Sequence, residues 1–321
     1  MAKKVSIKDI AKELNISIDA VSKALRDSPQ ISEKTKKAVR EKAAELGYVK
    51  NSLALNLKTG TSTNIVICLN NLYNPYFSMM HAELAKKIED YGFSSSLSFT
   101  RKYTLQYGDI VKALGNQPCA VISLVEPEKD VVLLLERYNI PLYLVGIKPK
   151  EEYESINYAI TDDFDGGYKV GCYFKNNRFN RALFISDSPS ETVSRRYNGF
   201  LKALKNCNKF HTNLGYNDDQ NLMDQAFDII KKENIDFVFC FSDFIAYQLK
   251  NKLNKEKYTN EIKIFGYDNI SEHVGIFEPI CSVGSDIDLI SKEVVKSTIQ
   301  TVDGGGSGSF KKVYPVKLII R

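Results

Sequence analysis

A chain of 321 residues exceeds what one hydrophobic core usually serves, so the sequence calls for two or three domains. Its composition, 43% hydrophobic and 26% charged with abundant Tyr and Phe, excludes a disordered or low-complexity protein. The net charge of +5 is unevenly placed: residues 1–60 carry thirteen Lys and Arg against seven Asp and Glu, whereas the remainder is one charge negative. A basic module on a neutral body is what contact with a phosphate backbone requires, because each cation near a phosphate releases condensed counterions.

Along the chain, Ile7, Ile10, Ala11 and Leu14 follow the spacing of one helix face, with Ser6 placed to cap. Asn15-Ile16-Ser17 breaks that pattern, and Ser17 caps a second short helix with Val21, Ala24 and Leu25 on its inner face. Two short helices joined by a three-residue turn form a helix-turn-helix unit. After a turn at Asp27-Ser28-Pro29, Ser32 caps a third helix whose Val39, Ala43 and Leu46 face inward, and Gly47 ends it. This helical domain is assigned to residues 1–50. Residues Asn51 to Leu57 suit one more short helix without a core to join, and the segment through Thr63 reads as a linker.

From Asn64 onward, short apolar runs alternate with amphipathic helices. Strands are expected at Ile65 to Leu69, Ser94 to Phe99, Ala120 to Val125, Leu142 to Val145, Ala182 to Ile185, Phe237 to Phe241, Ile262 to Phe265 and Val313 to Ile320. Helices are expected at Met79 to Tyr91, Val131 to Tyr138, Asp165 to Phe174, Tyr197 to Leu204, Leu222 to Lys232 and Ile245 to Leu253. This βαβ alternation predicts an α/β region of two doubly wound parallel-sheet subdomains, 64–161 with 287–312 and 162–286 with 313–321. Ligands of such sheets bind beyond the carboxyl ends of the strands, here in the cleft between the subdomains. Gly304 to Ser309, GGGSGS, reads as a flexible loop before the last strand.

The six cysteines are scattered without a C-x-x-C pair and read as buried, reduced thiols, and the three histidines lack metal-ligand spacing. No cofactor and no metal are expected. No apolar run approaches the ~18 residues that span a bilayer, and Met1-Ala2-Lys3-Lys4 is not followed by a signal-peptide core, so the sequence predicts a cytoplasmic protein without a membrane partner. An enzyme acting on a sugar or nucleotide lacks support, since the chain has no P-loop, no G-x-S-x-G elbow and no metal cluster. A transport-linked solute-binding protein would share the body but have no use for the helix-turn-helix.

The stretch VSIKDIAKELNISIDAVSKAL, continued by SEKTKKAVREKAAELGYVKNSLALNLKTG, resembles the DNA-binding headpiece of the lactose-repressor family of bacterial transcriptional regulators. NPYF at 74–77, RYNGF at 196–200, FGYDN at 265–269 and the closing VYPVKLIIR extend the resemblance through the body, which is similar to periplasmic sugar-binding proteins. The resemblance implies a repressor whose affinity for double-stranded operator DNA is controlled by a small-molecule effector, a sugar in preference to a nucleobase. It implies a homodimer, or a higher oligomer built from it, on a near-palindromic site. It places the second helix in the major groove, with Ile18, Asp19 and Lys23 at base edges and Ser6, Ser17, Ser22, Arg26 and Ser32 toward phosphates. The family commonly has Arg where this chain has Lys23, which cannot present a rigid bidentate fork. Residues 51–57 match a hinge helix that wedges Leu57, with Ala54 on the same face, into the minor groove. The family's effector positions fall on Tyr76, Phe77, Thr192, Arg196, Tyr216, Ser242, Asp243 and Asp268. Arg196 and Asp268 offer paired donors and acceptors to adjacent hydroxyls. Ser190 replaces an arginine of the purine-responsive branch, and Gly146 replaces an aspartate common in sugar-responsive members.

Overall fold

The computed structural model describes residues 5–25, 27–48, 62–150, 153, 156–187, 190–205, 207, 209–215, 221–275, 278–305 and 308–321. Arg26, the expected hinge segment with Ala54 and Leu57, and Tyr216 lie outside the described residues. The chain divides into two compact units, Met1–Thr61 and Ser62–Arg321.

The first unit holds three helices, α1 (Ile7–Leu14), α2 (Ile18–Ala24) and α3 (Glu33–Glu45). Ser6 opens α1, its backbone N–H and hydroxyl both donating to the Asp9 carboxylate at 2.8 and 2.7 Å. Ser17 and Ser32 accept from Ala20 N and Thr35 N, so each helix starts at the residue its hydroxyl chemistry predicts. Asn15 ends α1 in the left-handed region at φ 51°, which turns the chain sharply into α2. Ile10, Ala11, Val21, Ala24, Val39 and Ala43 form the buried centre, with Ile7, Leu14, Leu25 and Leu46 packed around it.

In the second unit a six-stranded parallel sheet has the order β13-β7-β6-β4-β1-β2. Its strands are β1 (Asn64–Leu69), β2 (Ser94–Phe99), β4 (Ala120–Ser123), β6 (Leu142–Val145), β7 (Asn157–Thr161) and β13 (Lys311–Tyr314). Alternate residues of β1 serve opposite faces. Ile65, Ile67 and Leu69 pack with α4 (Pro75–Asp90) and α12 (Ile287–Val302); Val66 and Cys68 pack with α5 (Tyr107–Leu114) and α6 (Lys129–Arg137). β3 (Thr104–Leu105) and β5 (Glu126–Pro127) pair beside this sheet.

A second parallel sheet runs β11-β10-β8-β9, made of β8 (Arg181–Ile185), β9 (Phe210–Leu214), β10 (Phe237–Cys240) and β11 (Lys263–Phe265). One face packs on α7 (Asp163–Asn176) and α8 (Glu191–Leu204) through an aromatic cluster that includes Phe174, Phe184, Phe200, Phe237 and Phe239. The other face carries α9 (Leu222–Glu233) and α10 (Asp243–Lys255). The short helix α11 (Ile270–His273) follows β11, and an antiparallel ribbon of β12 (Ser282–Gly284) and β14 (Lys317–Ile319) lies beside it, Cys281 bridging to Phe265.

The expected single strand Val313 to Ile320 is two strands. Lys311–Tyr314 pairs parallel with Asn157–Thr161, and Lys317–Ile319 pairs antiparallel with Ser282–Gly284. Pro315, which has no N–H to donate to a ladder, stands at the break, so the chain changes sheets there and not at residue 312. The cysteines are all free thiols, but only Cys68, Cys240 and Cys281 are buried, whereas Cys119, Cys172 and Cys207 are half-buried. Among the described residues no helix is long and apolar enough to cross a membrane.

Helices α7 and α8 touch backbone to backbone. A Cβ on Gly167 would stand 1.9 Å from the Arg196 carbonyl oxygen, and one on Gly199 would stand 2.0 Å from that of Phe164. Glycine alone permits this approach. Gly199→Ala is therefore expected to force the helices apart and to lower unfolding free energy by roughly 1–3 kcal/mol, the usual range for overpacking. The check is the denaturation midpoint, compared with Gly108→Ala in α5, where an added Cβ meets nothing within 4 Å.

Candidate nucleic-acid interface and ligand cleft

On the first unit, Ile18 at the start of α2 is 44% exposed, although it is a large aliphatic side chain with a core available beside it. One turn on, Lys23 pairs with Asp19 at 2.9 Å, and both side chains reach solvent. An exposed pair of this kind contributes little to stability, so little holds the two groups together. The Ser17 and Ser32 hydroxyls accept from Ala20 N and Thr35 N in capping, a role that does not use their O–H as a donor. Ser6 is likewise tied to Asp9, and Ser22 lies half-buried on α2.

On the second unit, the carboxyl ends of the two sheets converge. Asn74 caps α4 by accepting from Tyr76 N at 3.1 Å with Pro75 as the first helical residue, which sets Tyr76 and Phe77 at the helix start. Their rings meet edge to face at 5.6 Å. From the other lobe, Thr192 donates its hydroxyl to the Gly146 carbonyl at 3.3 Å. Gly146 has φ +77°, and a Cβ there would point to the Tyr76 hydroxyl. An aspartate at that position would be strained in this backbone, which gives a physical reason for its absence.

Arg196 lies at the centre and is buried. Its Nε donates to Asp163 Oδ1 at 2.9 Å, Nη1 donates to the Phe241 carbonyl at 2.5 Å, and Nη2 stands 3.9 Å from Asp268 Oδ1. The guanidinium carbon lies 3.4 Å from the Tyr267 ring centroid and 4.5 Å from that of Phe241. Burial opposes its charge, yet the nearby carboxyls of Asp163 and Asp268 outweigh burial and hold it protonated. Two of its five N–H donors are thus engaged, and both on Nη2 and the second on Nη1 remain.

Asp268 has φ 101°, a conformation that L-residues rarely adopt. Asp243 and Ser282 hold it there. Asp243 accepts from Ile270 N and from the Ser282 hydroxyl at 2.7 Å each, Ser282 Oγ accepts from Asn269 N at 3.0 Å, and Arg321 Nη2 donates to Asn269 Oδ1 at 2.9 Å. Asp243 is 0% exposed, with both carboxylate oxygens taken, and Ser242 caps α10 through Ile245 N. The expectation that Asp243 contacts the effector gives way to a positioning role, because both of its oxygens are taken, whereas Ser242 uses only an acceptor site in its cap and keeps its O–H.

Burial holds the Asp268 carboxyl well above the usual carboxylate range, with Asp243, Asp163 and Asp187 adding to the rise and Arg196 opposing it. Burial likewise raises the Tyr76 phenol, and Asp268 across the cleft adds to that. Tyr76, Thr192, Arg196 and Asp268 therefore meet at one place, with Phe77 beside them. Asp163, Asp187, Phe241 and Tyr267 belong to the same place and were not anticipated from sequence. Asp163 directly follows the capping residue Asp162, and its position as the first residue of a helix after a strand was the available signal.

These features define a two-lobed ligand-binding body attached to a basic helix-turn-helix module. The profile of bacterial regulatory proteins, lacI family, matches residues 6–51, and that of the periplasmic binding proteins and sugar binding domain of LacI family matches residues 62–309. The chain belongs to the LacI family and is a DNA-binding transcriptional regulator. It is 25% identical over 275 residues to the HTH-type transcriptional repressor PurR of Actinobacillus pleuropneumoniae serotype 3, covering 83% of this chain and 81% of that one. It is 21% identical over 336 residues to the HTH-type transcriptional regulator DegA of Bacillus subtilis, covering 99% and 97%. These relatives are regulators, not enzymes. The lac repressor dimer bound to operator and the anti-inducer ONPF has the same fold, with a TM-score of 0.79 at 18% identity over 99% of this chain and 98% of that one.

Two outcomes follow. Burial raises the Asp243 carboxyl from 3.8 to about 7. A carboxyl whose folded pKa exceeds its unfolded value keeps its proton longer in the folded state, so its contribution favours folding most below pH 4 and diminishes as pH rises toward about 7. Melting temperature is expected to fall between pH 5 and pH 8, and Asp243→Asn to flatten part of that slope; an unchanged slope would contradict the assignment. Arg196→Ala would leave Asp163 buried and unpaired, at a cost of roughly 3–5 kcal/mol, so its loss of stability should be visible without any ligand.

Proposed function

We propose that this regulator is a repressor that binds a near-palindromic operator as a homodimer and responds to a sugar or sugar derivative held between the two lobes. The observation that carries the reading is the joint presence of an exposed α2 edge at Ile18, Asp19 and Lys23 and a cleft in which Tyr76, Thr192, Arg196 and Asp268 converge. Aromatic edges beside a fixed donor and acceptor suit the apolar face and adjacent hydroxyls of a sugar. The matched sugar binding domain of the LacI family supports the same class. A nucleobase effector draws on the likeness to PurR, but Ser190, which caps α8 by accepting from Val193 N at 3.2 Å, supplies no cation at that point.

The dimer follows from size, since one small headpiece buries too little surface for tight specific binding and two-fold symmetry doubles it. The lac repressor, a dimer on its operator, supports this by likeness. Arg26, Ala54 and Leu57 keep the DNA-contact roles that the family resemblance gives them, and Tyr216 that of an effector contact.

Selection from a random duplex pool should return a near-palindromic consensus that sugar addition either releases or tightens. On that consensus Leu57→Ala should weaken binding on the order of 1–3 kcal/mol, as expected for a lost minor-groove wedge, while binding to random duplex changes little. Equal loss on both duplexes would reduce residues 51–57 to a tether, and a consensus without symmetry would remove the dimer.

A further inference from the structure

The charge balance of the cleft narrows the ligand further. Arg196 faces two carboxylates, Asp163 at 2.9 Å and Asp268 at 3.9 Å. Behind Asp268 lies Asp243, on which Arg321 and Arg196 act. Asp187, two residues beyond the carboxyl end of β8, forms no ion pair among the described residues, and its charge is felt at Asp268. Among the described residues, four carboxyls thus share this region with two guanidiniums, one of which, Arg321, is spent on Asn269 and the Ile280 carbonyl, and burial raises Asp187, Asp243 and Asp268, so that their ionised forms are disfavoured unless a further cation joins them.

A second feature is independent of that count. The Asp268 carboxylate is nine-tenths buried yet accepts no hydrogen bond from the described residues, and its nearest cationic nitrogen, at 3.9 Å, is beyond hydrogen-bond reach. A buried carboxylate without donors is costly unless something else supplies them. Arg196 Nε and one N–H of Nη1 are engaged by Asp163 and Phe241 and the Thr192 hydroxyl by Gly146, and Nη2 stands too far from Asp268 to bond it.

Resting on the reading of this cleft as the effector site, we propose that the effector is a sugar bearing a cationic amino group, with its nitrogen on Asp268, and that phosphorylated and carboxylated sugars are rejected. An ammonium brings three donors, no acceptor and a positive charge, which is what this site lacks. A phosphate brings nearly two negative charges to a region in which carboxyls already outnumber guanidiniums. A neutral sugar satisfies the hydroxyl partners but leaves the excess negative charge in place.

The test uses the full-length protein at pH 8 with matched sets of hexose, 2-amino-2-deoxyhexose, hexose 6-phosphate and hexuronic acid in the gluco, galacto and manno configurations. Calorimetry should show the amino sugar of at least one set binding about tenfold or more tighter than its neutral parent, with the phosphate and uronate of that set weaker than the parent. A phosphate or uronate binding more tightly than its parent, or a neutral sugar binding where its amino counterpart does not, overturns the proposal while leaving a sugar effector in place. Charge excess is read separately, without ligand. Asp187→Asn should raise the melting temperature at pH 8 by about 2 °C or more, with the gain closing toward pH 5. An unchanged or lowered melting temperature at pH 8 overturns the charge excess. If no sugar binds but Asp187→Asn stabilises as stated, the sugar reading fails and the cationic character of the ligand stands.

Discussion

The close crossing of α7 and α8 governs the ligand-binding body. Gly167 and Gly199 let two backbones approach where any side chain would collide, and that approach brings Arg196, one turn into α8, onto Asp163 at the start of α7. With the guanidinium fixed there, Phe241 and Tyr267 have a cation to lie against and Asp268 has a charge to face. A slightly wider crossing would remove the ion pair and expose two buried charges to each other's absence, so packing and electrostatics in this region are one constraint.

Around that centre the polar residues divide their work. Asp243, Ser282, Asn269 and Arg321 form a chain of hydrogen bonds that holds Asp268 in a backbone conformation it would otherwise avoid. Strain at a single acidic residue, supported from behind by groups that never reach the cleft, is a form of preorganisation: the cost is met during folding and not during binding. The headpiece is organised on the opposite principle. Its caps and small apolar core use short, local contacts, and Ile18, Asp19 and Lys23 lie on an unstrained helix.

Much of this was readable in the sequence. Helix starts at Ser6, Ser17 and Ser32 declare themselves because a short polar side chain before an apolar period has one favourable use, whereas the helix expected from Met79 begins at Pro75 behind the Asn74 cap. Central strands declare themselves as apolar runs, since both faces are covered. The strands Asn157–Thr161 and Phe210–Leu214 do not, because each alternates with polar residues and is only partly buried. The final strand pair was merged because one apolar run served two sheets across Pro315. At the site, family-matched positions located Arg196 and Asp268 but not what engages them. Nothing in the sequence singles out Asp163 or Asp187, and only the fold sets Asp163 against the Arg196 guanidinium and Asp187 near enough to Asp268 for its charge to act there. Asp243 was misread for the same reason: position indicates proximity to a ligand, whereas burial and hydrogen bonding decide whether any polar atom is left to meet it.

The chain passes between the two sheets at three places, Asp162, residues 285–286 and Pro315–Val316. Three separate covalent links between two bodies act unlike one. A single strand would leave the lobes free to swivel as well as to open, whereas three side by side suppress torsion and leave one soft coordinate, an opening angle about the line of the links. A ligand between such lobes can report its presence only by changing that angle, so molecules of quite different shape would be converted into the same one-dimensional signal.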